Sequence, residues 1–133
     1  MNGFNNIFNV GGRVLLAAIF VISGVGKLNA YDGTQAFMAA MGVPGVLLPL
    51  VIAFEIGAGL AVGLGLRARI AAFLLAGFSL VTAVIFHGDL GDPMQSILFW
   101  KNVAIAGGLL GIVSNGAGDW SLDHRLVRRL AKE

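Results

Sequence analysis

Apolar residues run almost unbroken through four stretches of this chain, at about residues 7–28, 44–66, 68–87 and 93–114. A helix rising about 1.5 Å per residue crosses a hydrocarbon core of about 30 Å in roughly 20 residues, and each stretch is close to that length. The pattern predicts four membrane-spanning helices joined by short loops, with a tail over 115–133. Small residues recur every fourth position within them: Gly57/Ala61/Gly65, Gly59/Gly63, Ala68/Ala72/Ala76, Ala104/Gly108 and Gly107/Gly111. Such rows let helix backbones approach closely in lipid, where packing rather than the hydrophobic effect joins helices.

The breaks between the stretches carry local signals. Asp32 and Gln35 read as a D-x-x-Q capping box, predicting a short interfacial helix at about 33–41 that Gly42 ends. Pro44 suits the first turn of the second span, and Pro49 predicts a slight bend further in. Asp92-Pro93-x-Gln95 reads as the cap, first position and third position of the fourth span. Residues 115–119 break the helix, and Trp120 is placed as an interface anchor. The tail then sets Leu122, Leu126, Val127 and Leu130 on one side, with Arg125, Arg128, Arg129 and Lys132 around the rest. That pattern predicts a helix lying on an anionic membrane surface.

Composition narrows the class. The chain has 133 residues, 57% apolar and only 12% charged, against about 25% charged in a soluble domain. The four spans leave no room for a second domain, so residues 1–133 form one membrane unit. With no cysteine, the chain has no disulfide, thiolate or iron–sulfur chemistry. A net charge of +2 without a basic stripe argues against nucleic acid as a partner. The N-terminal stretch lacks a basic leader region and an A-x-A site, so it reads as a retained span. Arg67, Arg69 and the basic tail fall on one side of a four-span chain, and Asp32, Asp89 and Asp92 on the other. Positive-inside therefore places both termini in the cytoplasm.

Every span also holds an ionisable group: Arg13 and Lys27, then Glu55, then His87, then Lys101. Such a group costs about 2.5–3.5 kcal/mol at a span's centre on insertion scales, so pairing or use is expected. Counted from Pro44, Glu55 lies about 16 Å deep; counted from Pro93, Lys101 lies about 12 Å deep. A Glu55–Lys101 pair is thus geometrically open, with Arg13 the competing partner. Its two readings are a register-fixing ion pair and a site that handles a ligand or a proton. Lys27 reads equally as a snorkelling helix-end lysine and as a functional group. Arg13 reads as an anchor at the inner boundary or as a functional group, the anchor being favoured. His87 fits a proton acceptor or a donor at the outer mouth. The other histidine, His124, falls on the opposite side, so no metal or haem site is expected.

Several motifs taken in order resemble a known family. They are Gly12-Arg13-Val14-Leu15-Leu16, Ser23-Gly24-x-Gly26-Lys27-Leu28, the stretch from Gly33-Thr34 to Met41-Gly42-Val43-Pro44, Glu55-x-Gly57-x-Gly59, Phe86-His87 and Phe99-x-Lys101-Asn102. Together they resemble the DoxX family, in its branch of small bacterial inner-membrane proteins. The resemblance implies an all-α four-helix bundle in the bacterial inner membrane. It places the family's recurrent polar residues on Arg13, Lys27, Glu55, His87, Lys101 and Asn102. It also implies a link to a quinone-reactive oxidoreductase, with no redox centre in the chain itself. The expected role is an accessory or binding subunit for a quinone-like or other small amphipathic ligand. Lys27, His87 and Lys101 would donate to the ligand, and Glu55 would balance charge or relay a proton. A redox partner protein or a second copy of the chain is the expected company. A small proton-coupled transporter and a structural protein with ion-pair locks are the competing readings.

Overall fold

The computed structural model describes residues 2–133, and their regular structure is all helical. Helix α1 spans Gly3–Asn29, α2 Tyr31–Ala40, α3 Leu48–Leu64, α4 Ala68–Phe86, α5 Pro93–Asn115 and α6 Leu122–Leu130, with a single 3-10 turn at Gly45–Leu47 ahead of α3. Among the described residues, four segments are long and apolar enough to cross a membrane: α1, the 3-10 turn with α3, α4 and α5. Helix α1 begins, α3 turns into α4, and α5 ends at one end of the bundle, here termed basal. The α1–α2 and α4–α5 connections mark the distal end.

The small-residue rows decide which helices touch. Cβ atoms built at Gly59 and Gly63 would meet Phe20 at 3.1 Å and Ala17 at 3.2 Å, so these glycines let α3 close on α1. Gly24 does the reverse, meeting Ile56 of α3 at 2.6 Å. Ala68, Ala72 and Ala76 are buried in the main core with Leu75 and Leu109, bringing α4 against α5. Helix α3 joins α4 across the middle. Helices α1 and α5 touch only sparsely, and α3 and α5 sit across the diagonal. Gly57, Gly77, Gly107 and Gly111 face open space.

The basal end is closed by polar contacts. Arg13 is 1% exposed. Its Nη1 donates to the carbonyls of Gly63 (2.7 Å) and Val62 (3.3 Å). Its Nη2 donates to the Trp120 carbonyl (2.6 Å), and its Nε to Asn9 Oδ1 (2.9 Å). The last carbonyls of a helix lack intrahelical donors and form the negative end of its dipole, so a cation there is well placed. Asp123 of α6 accepts from the Arg67 and Ala68 amides at 2.6 and 3.0 Å, capping α4 from across the sequence. The Asp123 amide in turn donates to the Gly65 carbonyl. Gly65 ends α3 with φ +72°, and a Cβ there would lie 2.5 Å from Ser121 Cβ and 2.8 Å from Arg13 Nη1.

A substitution follows from that crowding. Gly65→Ala combines left-handed backbone strain of about 1–2 kcal/mol with an overpacking cost of about 1–3 kcal/mol. Thermal unfolding in detergent should show a loss of roughly 2–5 kcal/mol. Gly57→Ala, in open space, should unfold close to the parent protein.

Three local expectations are corrected. The capping box at Asp32 and Gln35 does not form: α2 starts at Tyr31 behind Ala30, with no side-chain cap. Gln35 Nε2 instead donates to the Gly45 carbonyl at 3.1 Å, tying α2 to the 3-10 turn. Pro44 precedes the 3-10 turn in extended conformation, and Pro49, not Pro44, occupies the first turn of α3. Pro49 therefore starts the helix and does not bend it, because its missing N–H costs nothing in a first turn. The expected start at Pro93 holds: Asp92 Oδ1 accepts from the Met94 and Gln95 amides.

Candidate functional site

A cavity of about 390 Å³ lies in the distal half of the bundle. Its walls are mainly apolar, with Phe20 and Ile19 from α1, Phe78 from α4 and Ile105 from α5. Helix α2 forms a roof: Phe37 and Met38 line the cavity, and Phe37 stacks on Phe86 of α4 with ring centroids 5.5 Å apart. Met38 is buried with Leu48 and Ile52 in a second small core that fixes the roof to α3.

Polar groups gather on this cavity from four helices. Glu55 of α3 is buried, its side chain 3% exposed. Lys27 Nζ donates to Glu55 Oε2 at 2.8 Å, to Glu55 Oε1 at 2.9 Å and to Ser23 Oγ at 2.7 Å. An ammonium has three protons to give, so this set uses all three. Ser23 and Lys27 stand four residues apart on α1, one above the other on the helix face that meets α3. Asn102 of α5 donates through Nδ2 to Thr82 Oγ1 at 3.2 Å, and the Thr82 hydroxyl donates to the Ser79 carbonyl. His87 closes α4, with Nδ1 2.8 Å from Gln95 Oε1. With the amide oxygen as acceptor, Nδ1 is the donor of this bond, and Nε2 is the acceptor wherever the ring is neutral.

The six polar positions singled out in the sequence therefore divide. Lys27, Glu55, His87 and Asn102 share one cavity. Arg13 does not belong to it: it is a buried clasp at the basal end, not a boundary anchor in contact with headgroups. Lys101 lies outside the cavity lining and is exposed on α5. The Glu55–Lys101 pair is not made, because α3 and α5 are diagonal and Lys27 of the adjacent helix reaches Glu55 first. Starting α3 at Leu48 also brings Glu55 to about 10 Å from its helix start, toward the level of Lys27. Lys27 turns inward to this carboxylate and does not snorkel along the helix end.

Ser23, Thr82 and Gln95 were not singled out as site residues. Ser23 carried a usable signal, standing one turn before Lys27. Gln95 was assigned to capping, and its contact to His87 depends on how the α4–α5 loop folds back.

Comparison with known proteins agrees with this architecture. The chain is 44% identical over 117 residues to "Inner membrane protein YqjF" of Escherichia coli, covering 88% of this chain and 90% of that protein. It is 40% identical over 121 residues to "Inner membrane protein YphA" of the same organism, covering 85% and 86%. A Bacillus subtilis relative named "Putative oxidoreductase CatD" is 32% identical over 84 residues, covering 61% and 62%. No solved structure matches. These relatives and the four spans place the protein in the bacterial inner membrane as a multi-pass protein. The DoxX family profile matches residues 9–88, which run from α1 through the end of α4 and include Arg13, Lys27, Glu55 and His87, and the chain belongs to the DoxX family.

Proposed function

We propose that the protein is a membrane binding subunit for a small quinone-like amphiphile, held in its hydroxyl-bearing, quinol-like form. The observation that carries this reading is the distal cavity, whose apolar walls enclose a polar end with spare acceptors. A volume of about 390 Å³ falls within the range of small-molecule sites, about 300–1,000 Å³. Lys27 has no proton left to offer a ligand. Most of the spare capacity is acceptor capacity: the Glu55 carboxylate, with about four lone-pair sites, His87 Nε2 and Asn102 Oδ1, against one free N–H on Asn102 Nδ2. Hydroxyl donors on an apolar ring complement that set better than quinone carbonyls. Lys27 thus spends its protons on Glu55 and Ser23 and not on the ligand, and His87 would accept where it was expected to donate.

No flavin, haem or thiol motif is present in the sequence, so the chain's own residues would bind, orient and accept a proton. Electron transfer would fall to the ligand and a partner protein. The CatD name supports a redox connection for one relative. With the basic α3–α4 turn and tail on the cytoplasmic side, the cavity falls in the outer half of the membrane.

The test is binding of decylubiquinol and decylubiquinone to the purified protein in nanodiscs. The quinol should bind about tenfold tighter, since each carbonyl facing an acceptor in place of a donor forfeits roughly 1–2 kcal/mol. His87→Phe and Asn102→Leu should each erase most of that preference while leaving thermal unfolding near the parent value. Equal affinity for the two forms would defeat the acceptor reading.

A further inference from the structure

We infer that the cavity opens sideways into the bilayer, between the distal halves of α1 and α5, and that Lys101 stands at this portal as the first group to meet a ligand's oxygen-bearing head. The inference builds on the binding reading above and adds the route by which the ligand enters.

The seam between α1 and α5 is closed at one level only. A Cβ at Gly108 of α5 would lie 3.3 Å from Leu16 of α1, so the two helices are in contact there. The helices run antiparallel. Seven residues further toward the distal end stand Ser23 on α1 and Lys101 on α5. Seven residues are close to two full turns, so both return to nearly the same side of their helices, about 10 Å beyond the contact. Ser23 and Lys101 therefore flank the same seam. At that level α1 and α5 have parted: Ile19 is about half exposed yet lines the cavity, as do Ser23 and, on α5, Asn102 and Ile105. Meanwhile α2 roofs the end that would face water, with Met38 5% exposed and Phe37 stacked on Phe86.

Lys101 has the charge to serve this opening. It is exposed, and it has no hydrogen-bond or ion-pair partner among the described residues. It lies eight residues into α5, about 12 Å from the helix start, deep enough for a free ammonium to be costly. The spanning helices contain one carboxylate, Glu55, and Lys27 engages it. The portal thus carries an uncompensated positive charge at the same level as the Ser23–Lys27–Glu55 cluster. A membrane-dissolved amphiphile with oxygen acceptors on its head fits both features: its chain stays in lipid while its head passes Lys101 into the cavity.

The test uses the absence of cysteine, which makes any introduced one unique. A bimane fluorophore on Ile105→Cys, in nanodiscs of phospholipid brominated along its acyl chains, should be quenched at least half as much as one on lipid-facing Leu110→Cys. Aqueous iodide should quench it little. Strong iodide quenching with weak bromine quenching would overturn the portal and show a water-side entrance. In parallel, Lys101→Met should slow decylubiquinol association about tenfold and Lys101→Arg should retain the parent rate, as for loss of a charge-assisted hydrogen bond at the lip during entry. An unchanged association rate in Lys101→Met, with unfolding also unchanged, would reduce Lys101 to a snorkelling lysine and overturn its role. Bromine quenching in a protein that binds neither decylubiquinol nor decylubiquinone would sustain the portal and sink the quinol-like reading instead.

Discussion

Arg13→Ala is expected to lower stability by about 3–5 kcal/mol, from buried acceptors left unsatisfied at about 1–3 kcal/mol each and from the void. The loss has three sources. The Gly63 and Trp120 carbonyls are left short of a donor in a dry setting, the Val62 carbonyl loses a second one, and the arginine stem leaves a void. Arg13→Met isolates the hydrogen bonds, since it keeps much of the volume. It should recover only the packing share. Arg13→Lys should do somewhat better, yet a single ammonium cannot span the planar fork that reaches α3, Trp120 and Asn9 together. Thermal unfolding in detergent ranks the three variants. Limited proteolysis at the tail gives a second readout, because Arg13 and Asp123 jointly hold the segment before α6. An Arg13→Ala protein with unchanged unfolding and an intact tail would remove the clasp from this description.

The second large effect concerns Lys27 and Glu55, and it is asymmetric. Lys27→Met strands a carboxylate whose side chain is 3% exposed, while Glu55→Gln leaves a lysine that is 26% exposed and can turn toward the distal surface. Lys27→Met should therefore cost about 3–5 kcal/mol and Glu55→Gln clearly less. The double variant should regain most of the lost stability, since replacing both charges removes the desolvation cost along with the attraction. A double-mutant cycle on unfolding measures this coupling. Decylubiquinol binding separates lock from site. If the pair only fixes helix register, the double variant binds like the parent; if Glu55 accepts from the ligand, it folds but binds weakly.

The membrane class, the four spans and their order were legible because each rests on a count: about 20 apolar residues, a break, and small residues at fixed spacing. The α4 row Ala68/Ala72/Ala76 and the α3 pair Gly59/Gly63 meet neighbouring helices as their spacing indicates. What the sequence concealed was lateral arrangement. Depth along the membrane follows from residue number, so Glu55 and Lys101 read as level with one another. Which helices are adjacent and which are diagonal follows from packing, and it hands Glu55 to Lys27. The two glutamines show the same limit. Gln35 and Gln95 both occupy the third position of a capping pattern, a local signal. Each spends its side chain on a residue outside its own helix, Gly45 in one case and His87 in the other. Arg13 was misread for a related reason, since its acceptors are backbone carbonyls, and a carbonyl has no signature in sequence.

The Arg13 clasp also dictates an order of events during synthesis. Its acceptors come from residues 62, 63 and 120, which leave the ribosome 49 to 107 residues after Arg13 itself. Until then α1 carries a guanidinium that its own span can satisfy only through Asn9. The emerging hairpin of α1 with α3 gives it the Val62 and Gly63 carbonyls, and the Trp120 carbonyl arrives only once the chain is nearly finished. Helix α1 thus enters the bilayer well before the groups that secure its guanidinium, and a chain stopped before residue 120 still lacks the Trp120 contact.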